Sequence, residues 1–175
     1  VGNSGTIFYV PGGANKVVTF EGLTITRWYV YSYMVHSEAP SIVMKNVRCF
    51  QGGVGLYLRN GADATIEDCT WILMGSWDNG DDWNAIRGFE AGTNVTIRRS
   101  SFQGLRAYYG SVARTTTDGS VVVEDSSFVN CQSRYRGGCI FAEGNAPVSM
   151  SRVTMSDCRN TNEETGGVVW TSSGA

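Results

Sequence analysis

The chain has 175 residues, with 14 Lys and Arg against 16 Asp and Glu and a formal charge of −2. Charged residues make up 17% of it, against a usual figure of about 25%, which speaks against nucleic acid as a partner because that demands a basic stripe. No apolar run approaches the roughly 20 residues of a membrane helix, so no membrane insertion is expected.

In chain order, an apolar strand at 6–10 is followed by an octet of the form apolar, x, apolar, two polar or small residues, apolar or small, x, apolar. The octet is Val18 to Ile25, and it returns at 42–49, 64–71, 95–102, 121–128 and 148–155. Its second anchors are Phe20, Met44, Ile66, Ile97, Val123 and Met150, spaced 24, 22, 31, 26 and 27 residues apart. A third apolar segment precedes each octet, at 6–10, 33–35, 55–58, 85–86, 111–112 and 139–141, and again at 168–170. Nineteen valines and 15 threonines against five leucines favour strands, and 22 glycines favour turns. Three short strands per repeat, repeated end to end, predict an all-β fold. It is a single right-handed, single-stranded parallel β-helix over 1–175, with about six coils of about 26 residues. The end coils have no caps, so the array is expected to be a segment of a longer solenoid.

Stacking predicts which residues meet. The pairs between the second and third anchors read Glu21-Gly22, Lys45-Asn46, Glu67-Asp68, Arg98-Arg99, Glu124-Asp125 and Ser151-Arg152. The sign of charge alternates from coil to coil, as a register lock would require. Trp71, Phe102, Phe128 and Met155 should stack inside the coil. Ser100 and Ser126 should lie side by side and exchange a hydroxyl hydrogen bond. For the upstream strand, Met34, Leu56, Ile86, Val112 and Ile140 are aligned.

The connection from the last anchor to the next coil varies between 7 and 15 residues, and such a variable edge is where repeat proteins place recognition. Arg27, Trp28, Tyr29, Tyr31, Trp77, Trp83, Arg106, Tyr108, Tyr109, Arg134 and Tyr135 gather there. These residue types are enriched at interfaces, and flat rings suit sugar faces. They form a candidate binding edge for polysaccharide, glycoprotein or neighbouring coils and chains; the alternative is that the rings pack down on the coil.

Cys49 and Cys69 occupy inward anchor positions. Cys131 and Cys158 each follow their last anchor by three residues, so they stack on adjacent coils within reach of a disulfide, or form a ladder of reduced thiols. Cys139 has no assigned role. Asn94-Val95-Thr96 is a glycosylation sequon. Asp78, Asp81 and Asp82 offer oxygens to calcium but match no calcium-loop pattern, so the turn is read as an ordinary polar one. No cofactor or metal is expected.

Phe128-Val129-Asn130-Cys131, Gly137-Gly138-Cys139-Ile140-Phe141 and Val148-Ser149-Met150 resemble the repeats of chlamydial polymorphic outer membrane proteins. Gly166-Gly167-Val168-Val169 and Gly52-Gly53-Val54 echo the glycine element, whose pair suits a sharp turn at positive φ. The resemblance implies an extracellular or cell-surface structural solenoid used in adhesion or assembly, with no catalytic residues. Asn79-Gly80-Asp81-Asp82-Trp83-Asn84-Ala85-Ile86 resembles the Gly-Asp-Asp motif of polygalacturonases, which are also β-helices. That likeness implies a polysaccharide-active enzyme, polygalacturonase- or lyase-like, centred on Asp81 and Asp82. The family's Asn-Thr-Asp, Gly-His-Gly and Arg-Ile-Lys elements are missing, and the only histidine, His36, lies two coils earlier. The leading expectation is therefore a non-enzymatic, extracellular structural or adhesive β-helix, with the enzyme as the alternative.

Overall fold

The structure, a computed structural model, describes residues 5–13, 16–28, 32–75, 84–88, 90–162 and 167–172. All its sheets are parallel and every strand pairs with its counterpart one coil away. Sheet one has seven strands: Thr6–Val10, Tyr33–Ser37, Val54–Leu58, Ile86–Gly88, Ala113–Thr115, Ile140–Ala142 and Val169–Thr171. Sheet two has six: Val17–Glu21, Ser41–Lys45, Asp63–Glu67, Asn94–Arg98, Ser120–Glu124 and Val148–Ser151. Sheet three has six: Thr24–Thr26, Arg48–Gly52, Thr70–Met74, Ser101–Gln103, Ser127–Val129 and Thr154–Ser156. The chain visits the three in turn once per coil, which is the predicted parallel β-helix. A fourth sheet of three strands (Arg106–Tyr109, Gln132–Arg136, Arg159–Asn160) is an addition to the three-strand expectation. It is built from the connections of the later coils.

The octets stack as the repeat requires. Val18, Ile42, Ala64, Val95, Val121 and Val148 form one column, and Phe20, Met44, Ile66, Ile97, Val123 and Met150 the next. The last anchors follow from Ile25 through Cys49, Trp71, Phe102 and Phe128 to Met155. Trp71 stacks on Phe102 with centroids 5.8 Å apart, and Phe102 meets Phe128 edge-on at 5.5 Å. Gly55 makes room for the large Trp71 ring, since a Cβ there would lie 2.1 Å from it.

Two corners of every coil are left-handed. Gly22, Asn46, Asp68, Arg99, Asp125 and Arg152 have φ of 48–65°, and Arg27, Gln51, Leu73, Gly104, Asn130 and Asp157 have φ of 52–67°. An L-residue pays about 1–2 kcal/mol for that conformation. Hydrogen bonds to the next coil hold it. Asn46 N donates to Glu67 O at 3.0 Å, Asp68 N to Arg98 O at 3.1 Å and Asn130 N to Ser156 O at 2.8 Å.

The charge column forms as well. Lys45 reaches Glu67 at 3.7 Å, and Arg98 reaches Glu67 at 3.8 Å and Glu124 at 2.9 Å. Beside it Arg99 pairs with Asp68 at 2.8 Å and Arg152 pairs with Asp125. Hydrogen bonding to these arginines holds both aspartates below the ordinary carboxylate range. All four residues of these two pairs are solvated, so their contribution is to register.

Two expectations need correction. Ser100 and Ser126 do stack, yet their hydroxyls do not bond to each other. Ser100 N donates to Ser126 Oγ and Cys69 N to Ser100 Oγ, both at 3.1 Å, while each hydroxyl donates to the carbonyl two residues before it. The serines therefore satisfy buried backbone at the corner. In sheet one, Val35 rather than Met34 pairs with Leu56, and Ala113 rather than Val112 pairs with Ile86. Both members of each doublet are fully buried, so apolar pattern cannot choose between them and the hydrogen-bond ladder does.

Truncating the aromatic column should be costly. Phe102→Ala is expected to lower stability by about 3–5 kcal/mol, and Gly55→Ala by about 1–3 kcal/mol through overpacking against Trp71. Urea unfolding followed by tryptophan fluorescence measures both; a loss under 1 kcal/mol in Phe102→Ala (about the size of a single surface change) would contradict the packed column.

Candidate functional site

With the register of sheet one corrected, its outward face carries one continuous column. Tyr9, His36, Tyr57, Arg87, Arg114, Phe141 and Trp170 pair in succession, one residue per coil. Successive rungs lie about 4.8 Å apart. Tyr33 stacks on Tyr57 at 4.5 Å, and His36 lies edge-on to Tyr57 at 5.1 Å. The Arg87 guanidinium lies 5.6 Å from the Tyr57 ring centroid. That of Arg114 sits 5.0 Å from Tyr109 and 5.4 Å from Phe141. Phe141 and Trp170 are parallel at 4.6 Å, and Arg136 lies 4.9 Å from the indole. Burial lowers the Arg114 pKa, with Glu143 acting against it. Tyr9 is 57% exposed and most of the other rungs are half-buried.

The binding edge expected from the long connections joins this column at the fourth sheet. Tyr109 lies 5.0 Å from Phe141 and 5.6 Å from Tyr135, and Tyr135 stacks on Tyr108 at 5.3 Å. Arg134 caps both Tyr108 and Tyr135, donating to Tyr108 Oη at 3.2 Å, and Tyr108 is itself buried, 9% exposed, against the expectation of a ligand-facing ring. Arg106 and Arg27 are exposed. Trp28 departs from the expectation. It is 7% exposed, donates its indole N–H to Val54 O at 3.3 Å and lies over Gly52, where a Cβ would be 2.1 Å from the ring. It packs the coil and offers no ligand surface. Gly52 is thus required by Trp28, whereas Gly137 does turn at φ 59° as the glycine motif implies. Tyr29, Tyr31, Trp77, Asp78, Asn79, Asp81, Asp82 and Trp83 lie outside the described residues.

Asn84, which follows that segment, is fully buried and donates through Nδ2 to Tyr109 O and to Gly110 O at 2.7 Å. The edge of one coil is therefore pinned to the next. Asn94 is exposed; its Nδ2 donates to Asp63 Oδ1 at 2.9 Å and its Oδ1 accepts from Ser120 at 2.7 Å. A glycan at this sequon would take one of the two Nδ2 hydrogens, which now go to Asp63 Oδ1 and Gly92 O.

The cysteines also differ from expectation. All five are free thiols, so the Cys131–Cys158 bridge is not formed. Those two residues do stack, with Arg159 N donating to Cys131 O at 3.1 Å. Cys139, on the return to sheet one, brings a third sulfur among them, and the three lie within 4.8 Å of one another. Hydrogen bonds from Cys131 and Cys139 hold the half-buried Cys158 thiol well below its ordinary range; hydrogen bonds with its partners and burial push Cys139 far above it. Spacing could pair Cys131 with Cys158, but only the closed coil shows that Cys139 faces them.

The family model described as "Right handed beta helix region" matches residues 2–175. The chain belongs to the right-handed β-helix family. No curated protein and no solved structure matches it. The membership fixes the hand of this β-helix and leaves its ligand to be argued from the surface.

Within the aromatic column of this β-helix, His36 is the group whose ordinary pKa lies near neutrality. Its Nε2 is buried without a hydrogen-bond partner, and burial lowers its pKa; Glu38 opposes and Arg59 reinforces the shift. The unfolded chain therefore takes up the proton first, and this contribution to stability is present above about pH 6.5 and lost as pH falls toward the folded value. Melting temperature should drop across that window, and His36→Phe should flatten the drop; an unchanged profile in the variant would refute the assignment.

Proposed function

We propose that this β-helix is a non-enzymatic structural or adhesive element of an extracellular or cell-surface protein, and that the outward column of sheet one, with the edge beside it, holds an extended acidic polysaccharide. The column is the observation that carries the reading. Rings at Tyr9, Tyr33, Tyr57, Tyr109, Tyr135 and Trp170 offer flat apolar faces of the kind sugar rings stack on. Arg87 and Arg114 occupy adjacent rungs between Tyr57 and Phe141, Arg136 lies over Trp170 from the fourth sheet, and all three carry guanidinium forks suited to carboxylates or sulfates. The rungs recur at a spacing commensurate with one pyranose unit of an extended chain.

The low overall charge and the sequon at Asn94 fit a secreted or surface setting, and the glycine motif of the late coils supports the structural resemblance. The enzyme alternative rests on Asp81 and Asp82. The seven residues of the column include no carboxylate, which favours holding an acidic chain over cleaving it.

The test is affinity electrophoresis of the folded protein in gels containing polygalacturonate, alginate or neutral xylan. Retardation by the acidic polymers and not by xylan is expected. It should weaken about tenfold in Tyr57→Ala/Arg87→Gln, as the loss of a good stacking or charged contact would give. Absence of retardation in every gel, or equal retardation of the variant, overturns the proposal. Release of reducing ends or unsaturated products that disappears in Asp81→Asn would establish the enzyme instead.

A further inference from the structure

The corner where the third sheet passes into the fourth is filled differently in successive coils. The pairing of Arg106 with Gln132 aligns Leu105 with Cys131 of the next coil, and the pairing of Ala113 with Ile140 aligns Val112 with Cys139 of the next coil. Leu105 and Val112 are both fully buried, so aliphatic side chains pack this corner well. One coil later both positions are cysteine, and one coil later again Cys158 occupies the first of them beside Val168 at the second. Packing alone does not require three cysteines here. Three of the chain's five cysteines replace aliphatic residues at one corner, and their sulfurs converge to within 4.8 Å.

We propose that Cys131, Cys139 and Cys158 form a three-thiolate site for a soft divalent cation of the zinc class. Thiolate sulfur selects such ions over hard cations. A tetrahedral zinc with bonds of about 2.3 Å places its sulfurs roughly 3.8 Å apart, so small movements of side chains already in place complete the geometry. Cys131 and Cys139 are buried, while Cys158 is half-buried and lines a cleft of about 530 Å³ with Asn130, Gln132, Asp157 and Arg159. The cleft is the path by which the ion enters and by which water supplies the fourth ligand. On binding, three thiols release three protons to solvent, three metal–sulfur bonds form, and one water of the hydrated ion is kept while the others leave. The thiol contacts of Cys131 to Phe102 O at 3.5 Å and of Cys158 to Phe128 O at 3.3 Å are given up in exchange. Because the three ligands join two coils, occupancy ties the last full coil to the one before it.

Titration of the reduced folded protein with cadmium under anaerobic conditions tests the site. An ultraviolet sulfur-to-metal charge-transfer band should rise and saturate at equimolar metal, and zinc should displace the cadmium. Alkylation followed by mass spectrometry should find Cys131, Cys139 and Cys158 protected in the loaded protein and modifiable without metal on unfolding. Cys139→Val reproduces the aliphatic corner of the preceding coil and should fold with an unchanged circular dichroism spectrum. It should lose affinity by more than the roughly hundredfold that loss of even an outer partner costs, whereas Cys49→Ala should bind as the parent does. Metal should raise the melting temperature of the parent and not of Cys139→Val. No charge-transfer band, undiminished binding in Cys139→Val, or a disulfide joining two of the three sulfurs in the unreduced protein would each overturn the site.

Discussion

The constraint on which the rest of this molecule depends is the hydrogen bonding of each coil to the next through sheets and corners alike. Parallel pairing puts equivalent residues of successive coils about 4.8 Å apart, so every position of the repeat becomes a column. A column is chemically uniform only if neighbours tolerate each other at that distance. Apolar columns become the core, opposite charges alternate along sheet two, and serines at one corner pass backbone hydrogen bonds from coil to coil. The left-handed corners belong to the same scheme. Arg99, Leu73 and Arg152 are residues that rarely adopt positive φ in isolation. They do so here because the peptide must turn where the coils above and below it turn.

The same stacking generates surface. Any exposed column is a linear array along the axis, and on sheet one that array consists of aromatic rings, one histidine and two arginines. Guanidinium groups lie over rings along it, so the arginines are positioned by contacts that leave their charge in place. The later coils widen the array by inserting the fourth sheet, which brings Tyr108, Tyr109 and Tyr135 to its flank. The surface proposed to hold an extended ligand and the stability of the solenoid thus draw on one repeat geometry. The inner corner of the fourth sheet shows the converse, since stacking there gathers three thiols at two positions of the repeat that Leu105 and Val112 fill in the coil before the first cysteine.

What the sequence by itself determined is the inner face of sheets two and three. One octet in one phase fixed six coils, because strict alternation of buried and exposed residues leaves a single register in which all anchors face inward. It also determined the charge lock and the aromatic stack of Trp71, Phe102 and Phe128. It located the flank containing Tyr108, Tyr109, Arg134 and Tyr135 from composition and loop length alone. Only the tertiary structure decided the register of sheet one, where Met34-Val35 and Val112-Ala113 are apolar doublets and either residue satisfies the pattern. A slip of one residue there exchanges inner for outer face, so the column through His36 and Arg114 was invisible until backbone hydrogen bonds chose. Trp28 likewise reads as an exposed ring until Gly52, one coil away, provides the space that buries it. The convergence of Cys139 with Cys131 and Cys158 came from the same source: residues eight apart in sequence face each other only when the coil closes around them.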